Sequence, residues 1–199
     1  MLDLFLKLIE KTVELLQLQR KSRKEVFCDI IEPLFVEMPL VVQDYFSIFQ
    51  EAEGILDKAR FNRRVPKTRL QRAINNIRER RQEFLHARIE IRQMADLIRM
   101  RCKDKEVVAF AESIYSFFFS SQICDLGSHK TSTAELAELF DLLDCGDLTV
   151  LELQRSIQLM RCNLERSWSE ITNKYALLRL KYLHPESVLK SKGTSSREG

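Results

Sequence analysis

Arginine and histidine occur twice at a spacing of five residues, as Arg81 with His86 and as Arg179 with His184. An arginine fork holds a phosphate well, and a histidine transfers protons near neutral pH. The two residue types together suit the cleavage of a phosphodiester. A histidine at the end of a helix also satisfies free backbone carbonyls, and for His184 taken alone this structural role is the favoured interpretation.

The second pair lies late in the chain, directly before Pro185. The segment Arg179-Leu-Lys-Tyr-Leu-His184 resembles the motif of the HEPN family of all-helical ribonucleases, in which a histidine follows an arginine near a helix end. The resemblance implies a catalytic site for RNA cleavage made of Arg179 and His184, across a dimer. In that family a polar residue usually follows the arginine, whereas Leu180 follows it here.

An acidic loop is the second candidate site. A count of twelve residues from Asp141 places Gly146 at the sixth position and Glu152 at the twelfth, which resembles the calcium loop of the EF-hand family. The third and fifth positions carry leucine and cysteine, which offer calcium no side-chain oxygen. We therefore expect a helix that ends at Gly146 and a second helix capped by Thr149 and Glu152, with no metal and no cofactor.

The five cysteines lie far apart and have no histidine pair beside them: Cys28, Cys102, Cys124, Cys145 and Cys162. Zinc requires clustered ligands, so this scatter predicts buried free thiols in a reducing compartment. No apolar run reaches the roughly 18 residues of a membrane span. The N-terminus has no small-residue cleavage site, and we expect a cytoplasmic protein without a signal peptide.

Charge is segregated along the chain. Residues 58–105 carry 16 lysines and arginines against 5 acidic residues, while residues 1–57 carry 6 against 11 and residues 106–199 carry 10 against 13. Two interpretations stay open: the basic segment binds a polyanion such as nucleic acid, or it pairs with acidic groups of this chain or of a partner protein. The candidate partner-binding or phosphate-binding residues are Arg63, Arg64, Arg69, Arg72, Arg80, Arg81 and Arg88.

Helical periodicity runs through the sequence, and only 5 glycines and 4 prolines interrupt it. One set of apolar residues recurs every seven positions and predicts a helix over about residues 66–102: Leu70, Ile77, Phe84, Ile91 and Ile98. A second set predicts another long helix: Val150, Ile157, Leu164, Ile171 and Leu178. The sequence thus predicts an all-α, elongated helical bundle in which two long heptad helices form an antiparallel coiled coil.

Shorter elements complete the predicted fold. An amphipathic helix covers residues 2–16, a capping box at Ser22 begins the next helix, and Pro33 and Pro39 interrupt that helix. An aromatic helix spans about residues 104–119, and Ser132 opens a short helix. We expect one domain over residues 1–187 and a disordered polar tail over residues 188–199.

These patterns favour a non-enzymatic protein that binds other proteins, as a regulatory, adaptor or scaffold subunit that acts through long heptad helices. A protein partner or self-association follows from this interpretation. Two alternatives remain: a nucleic-acid-binding protein that uses the basic segment 58–105, and a HEPN-like ribonuclease that uses Arg179 and His184.

Overall fold

The computed structural model describes residues 22–61, 85–119 and 132–184, together with Arg72, Asn75, Asn76 and Glu79. All elements within these residues are helical, which confirms the all-α fold class. In chain order they are α1 (Arg23–Val26), a π turn (Phe27–Ile31), α2 (Glu32–Phe61), α3 (Leu85–Arg101), α4 (Lys105–Phe117), α5 (Ser132–Cys145) and α6 (Val150–Leu183). In this part of the chain no helix combines the length and the apolar character that a membrane crossing needs.

Helix α1 begins at the predicted capping box. The Glu25 amide donates to the Ser22 hydroxyl over 3.3 Å, and the Ser22 amide donates to the Glu25 carboxylate over 2.7 Å. Each side chain thereby satisfies a backbone donor that the first helical turn leaves free. The predicted helix over residues 2–16 lies outside the described residues.

The prediction that two prolines interrupt the next helix is wrong. Pro33 lies at the second position of α2, and Pro39 lies inside the same 30-residue helix. The π turn precedes Pro33, and the Glu32 amide there donates to the carbonyl of Phe27, five residues back. This wider turn relieves the clash that a proline ring makes with the carbonyl four residues earlier. Around Pro39, full burial of Met38 and Val41 offsets the missing backbone hydrogen bond.

Helix α6 carries the second heptad pattern on one buried face. The helix has 34 residues. Four residues of the heptad pattern are buried on it: Ile157, Leu164, Ile171 and Leu178. In α3, Ile91 and Ile98 of the first heptad set are also buried. The remainder of that set, on residues 66–84, lies outside the described residues.

The chain divides into two compact units. Unit 1 contains residues 1–38, 90–115 and 169–199, and unit 2 contains residues 39–89 and 116–168. The division into one domain over residues 1–187 stays a prediction. The predicted tail over residues 188–199 and the predicted loop over residues 120–131 lie outside the described residues.

Four aromatic side chains of unit 1 pack together, and two of them, Phe27 and Phe110, are fully buried. The Tyr175 ring stacks on Phe35 with 3.8 Å between ring centroids and 4° between planes, and Phe27 lies 5.5 Å from the same ring. Phe110 of α4 approaches Tyr175 from another side, at 6.4 Å. Tyr175 of α6 thus joins the π turn, α2 and α4 through apolar contact.

The core of unit 2 collects aliphatic and aromatic residues from α2, α4, α5 and α6. Its fully buried members are Tyr45, Ile48, Phe49, Ala52, Leu56, Phe117, Phe118, Leu136, Phe140, Leu153 and Ile157. Phe117, at the end of the predicted aromatic helix, is 5.5 Å from the Tyr45 ring, and Phe118 is 6.3 Å from it. Consecutive phenylalanines are thus both buried against one tyrosine.

Candidate interaction faces

Arg88, one of the predicted binding residues, lies inside unit 2. Its guanidinium donates to the Asp44 carboxylate, and the two side chains are 7% and 6% exposed. Asp44 belongs to the acidic segment over residues 1–57, so this arginine pairs within the chain. A charge buried to this degree requires such a partner, because the interior solvates it far less than water does.

The Arg88 guanidinium has a second contact on its face. Its central carbon lies 4.7 Å from the centroid of the Tyr45 ring, which is a cation–π geometry. The Nε atom of Arg88 is buried and finds no hydrogen-bond acceptor among the described residues. The buried side chains of Arg88, Asp44 and Tyr45 form what we call the Arg88 cluster, and it joins α3 to α2.

The other predicted binding arginines are mostly outside the described part of the chain. Arg72 is helical and exposed. Near it, the Asn76 side chain donates to the Glu51 carboxylate of α2 over 3.4 Å. The remaining members of the predicted set lie outside the described residues: Arg63, Arg64, Arg69, Arg80 and Arg81.

Arg179 and His184 lie at the C-terminal end of α6, and both side chains are exposed. The His184 amide donates to the carbonyl of Leu180 over 3.0 Å, so the helical hydrogen-bond pattern reaches this residue. Five residues along a helix correspond to a rotation of about 140°. The two side chains therefore leave the helix in different directions. Of the other predicted pair, His86 is exposed on α3 and Arg81 lies outside the described residues.

The acidic loop between α5 and α6 is a helix end followed by a helix start, as expected. Gly146 has a φ of 86°, and the Asp147 amide donates to the carbonyl of Leu142 over 3.0 Å. This is the geometry of a glycine-terminated helix. Thr149 and Glu152 then cap α6 reciprocally, through bonds of 2.9 and 3.3 Å. Hydrogen bonds from Thr149 lower the pKa of the Glu152 carboxyl.

Among the described residues, no three histidine, cysteine, aspartate or glutamate side chains are grouped to hold a metal ion. The prediction of buried cysteines is wrong for three of them, because Cys28, Cys145 and Cys162 are exposed. Cys102 is partly buried, and burial raises the pKa of its thiol. Cys124 lies outside the described residues.

Unit 1 contains a polar contact that the sequence does not predict. The Tyr182 hydroxyl donates to the Asp104 carboxylate over 2.6 Å, and the Arg23 guanidinium lies 5.7 Å from the centroid of the Tyr182 ring. Burial and the bond to Asp104 raise the pKa of Tyr182 well above its ordinary value. Burial alone raises the pKa of Asp104, but the bonds from Tyr182 and from the Glu106 amide bring that pKa below its ordinary value. These residues join α1, the start of α4 and the end of α6.

Helix α6 is anchored in unit 2 through its buried face. The Gln154 amide donates to the Asp57 carboxylate over 3.1 Å, and Arg161 lies 3.3 Å from the Glu53 carboxylate. Leu153 and Ile157 are fully buried between these polar contacts. Since both Glu53 and Asp57 belong to α2, the buried face of α6 points toward that helix.

The opposite side of α6 in unit 2 exposes two leucines among basic residues. Leu151 is 53% exposed and Leu159 is 54% exposed. Arg155, Cys162 and Arg166 are exposed at the intervening and following turns. At 100° per residue, these five side chains lie within about 80° of the helix surface. We call them the leucine–arginine face.

Comparison with protein-family models, with curated proteins and with solved structures finds no match to this chain.

Proposed function

We propose that this protein is a helical interaction subunit and that the leucine–arginine face of α6 binds an acidic amphipathic helix of a partner protein. The main observation in support is that Leu151 and Leu159 are each more than half exposed, on the side of α6 opposite its buried face. Exposed leucines grouped on one helix face are typical of sites where a second helix packs.

Charge favours an acidic partner. The five residues of the leucine–arginine face include Arg155 and Arg166, and the exposed residues Glu152 and Glu165 lie at its two edges. Arginine forks bind carboxylates at the rim of an interface and raise the rate of association. The face extends over about 22 Å, which is enough for four turns of a partner helix.

The long heptad helices predicted from the sequence fit the same proposal. The residues of α6 that follow the seven-residue repeat are buried within the chain, so a partner helix meets the second, exposed set of leucines. A coiled-coil contact between chains would then use this exposed set.

Site-specific photocrosslinking tests the proposal. A photoreactive phenylalanine analogue replaces Leu159 in the full-length protein, and the matched control places it at Leu40, which is 56% exposed on α2. We expect a covalent adduct at Leu159 whose partner peptide carries Asp and Glu at helical spacing, and no such adduct at Leu40. Equal adducts at both positions, or none at Leu159, would contradict the proposal.

A further inference from the structure

Four residues of the leucine–arginine face follow a 4-3-4 spacing along α6: Arg155, Leu159, Cys162 and Arg166. At 100° per residue they lie within about 60° of the helix surface, and about 16 Å of helix separates the two arginines. All four residues are exposed, Leu159 by 54%. A positive charge therefore lies at each end, with a leucine and a cysteine between. We call these four residues the 155–166 row.

The two arginines of this row have no acidic partner within the fold that holds them in place. In the described part of the chain, neither Arg155 nor Arg166 forms a hydrogen bond or a salt bridge. An arginine fork binds a carboxylate through two parallel hydrogen bonds. Both guanidinium groups are therefore available to carboxylates of a partner.

The glutamates at the two edges of the face are already engaged. The Thr149 hydroxyl donates to the Glu152 carboxylate over 2.6 Å, as part of the cap of α6. Hydrogen bonds from Thr149 lower the pKa of Glu152, and the charge of Arg155 lowers it further by a smaller amount. The Glu165 carboxylate lies 3.8 Å from the Nε atom of Arg161. The edge glutamates thus leave the two ends of the row to a partner.

The spacing of the row determines what a partner helix must carry. Two helices that pack nearly parallel or antiparallel advance by the same 1.5 Å per residue. The residues that face Arg155 and Arg166 are therefore also eleven positions apart, and they share a face because eleven residues make three turns plus about 20°. The residues that face Leu159 and Cys162 lie four and seven positions along the partner. A 4-3-4 spacing is the same in both directions, so this requirement holds for either orientation.

We propose that the partner helix carries two acidic residues eleven positions apart, with apolar residues four and seven positions after the first. This inference rests on the proposed function, because it specifies the partner of the same face. The two carboxylates bind Arg155 and Arg166. The two apolar residues cover Leu159 and Cys162, since a thiol packs as a small apolar group. A shift of the partner by one turn places an apolar residue against an arginine, so the charges fix the register.

A second copy of this chain does not supply such a helix. In its sequence, only one set of residues combines acidic residues eleven positions apart with apolar residues at both intermediate positions: Asp141, Cys145, Leu148 and Glu152. Helix α5 ends at Cys145, and Gly146 has a φ of 86°, so these four residues do not share one helix face. The chemistry of the row therefore favours a different protein as the partner.

Two designed helical peptides of identical composition test the spacing. The first has glutamates eleven positions apart and leucines four and seven positions after the first glutamate, on an alanine background. In the second, the later glutamate is moved two positions earlier, which places it on the opposite side of the helix from the first. Fluorescence anisotropy with the full-length protein measures each Kd, and circular dichroism verifies that both peptides are equally helical. We expect the first peptide to bind at least about tenfold more tightly, because only it reaches both arginines.

Charge reversal is a control that a general loss of structure does not reproduce. Arg155→Glu combined with Arg166→Glu should lose the first peptide and bind a third peptide that has lysines in place of the glutamates. Arg179→Glu changes another exposed arginine of α6, about 140° away from Arg166, and should leave the affinity for the first peptide unchanged. Equal affinities for the first two peptides, or no binding of the first, would overturn the proposal.

The photocrosslink at Leu159 separates this inference from the proposed function. An adduct at Leu159 whose partner helix carries its acidic residues at another spacing would overturn the eleven-residue spacing and leave the face as a binding site. The absence of an adduct at Leu159 would overturn the proposed function, and this inference with it.

Discussion

The two units hold their charged groups in different ways. Unit 2 buries a complete ion pair, Arg88 with Asp44, under the ring of Tyr45. Among its described residues, unit 1 has no buried ion pair, and the buried Tyr182 donates its hydroxyl hydrogen to the Asp104 carboxylate. We infer that burial, rather than the number of polar contacts, determines how much stability the fold loses when one partner of a contact is removed.

The largest loss of stability is expected from Arg88→Met in unit 2. This change leaves the Asp44 carboxylate buried without its cation, and loss of one partner of a buried pair costs about 3–5 kcal/mol. Urea unfolding followed by circular dichroism measures the free energy of unfolding. Asp44→Leu combined with Arg88→Met serves as the control, because it removes both charges and regains most of the loss. A loss of less than about 1 kcal/mol, typical of surface pairs, would contradict the burial account.

In unit 1, Tyr182→Phe tests the smaller contact. The change removes only the hydroxyl that donates to Asp104, so we expect a loss of about 1–2 kcal/mol in the same unfolding experiment. Lys181→Met is the matched control, because the adjacent Lys181 reaches Glu106 over 2.6 Å at the surface. That control should cost less than about 0.5 kcal/mol. Equal losses for the two variants would show that burial does not separate them.

The same contact predicts a pH dependence. The pKa of Asp104 is lower in the folded chain than its ordinary value, so its stabilisation is complete above about pH 4 and is lost as the pH falls through the folded pKa. Asp104→Asn should therefore lose stability less steeply than the wild type on acidification. We expect a difference of about 2–4 °C in the change of Tm between pH 7 and pH 3. Parallel Tm curves would contradict the assignment.

The smallest effect on stability is expected at the leucine–arginine face. Leu159→Glu should change the free energy of unfolding by less than about 0.5 kcal/mol, because more than half of this residue is already exposed. Leu164→Ala, on the buried side of the same helix, should cost about 2–5 kcal/mol. A large loss of stability in Leu159→Glu would mean that this leucine supports the fold itself. It would contradict the assignment of this face as a binding surface.

The sequence predicted well those features that depend on local chemistry. The capping boxes at Ser22 and Thr149 and the helix end at Gly146 each use a few neighbouring residues, and all three are present. The heptad repeat identified the buried side of α6 for the same reason, since helical spacing alone selects a face.

Features that depend on distant residues were missed. Pro39 is a local signal for a helix end, yet burial of its neighbours keeps α2 continuous. Asp44 pairs with Arg88 across 44 positions of the sequence. The sequence contains one sign that Asp44 is buried, because it is the only charged residue between Glu37 and Glu51. The contact of Tyr182 with Asp104 gave no such signal, since no local spacing relates the two residues.

Co-purification with light scattering is the direct test of whether the leucine–arginine face binds an acidic partner helix. Wild-type protein, Leu159→Glu, Arg155→Glu with Arg166→Glu, and the control Leu40→Glu are compared at several salt concentrations, with absorbance read at 260 and 280 nm. We expect the wild type and Leu40→Glu to form a defined complex, and we expect both variants of the face to lose it. A lone 23.4 kDa monomer in every sample, or a 260/280 ratio that indicates bound nucleic acid and falls with salt, would contradict it.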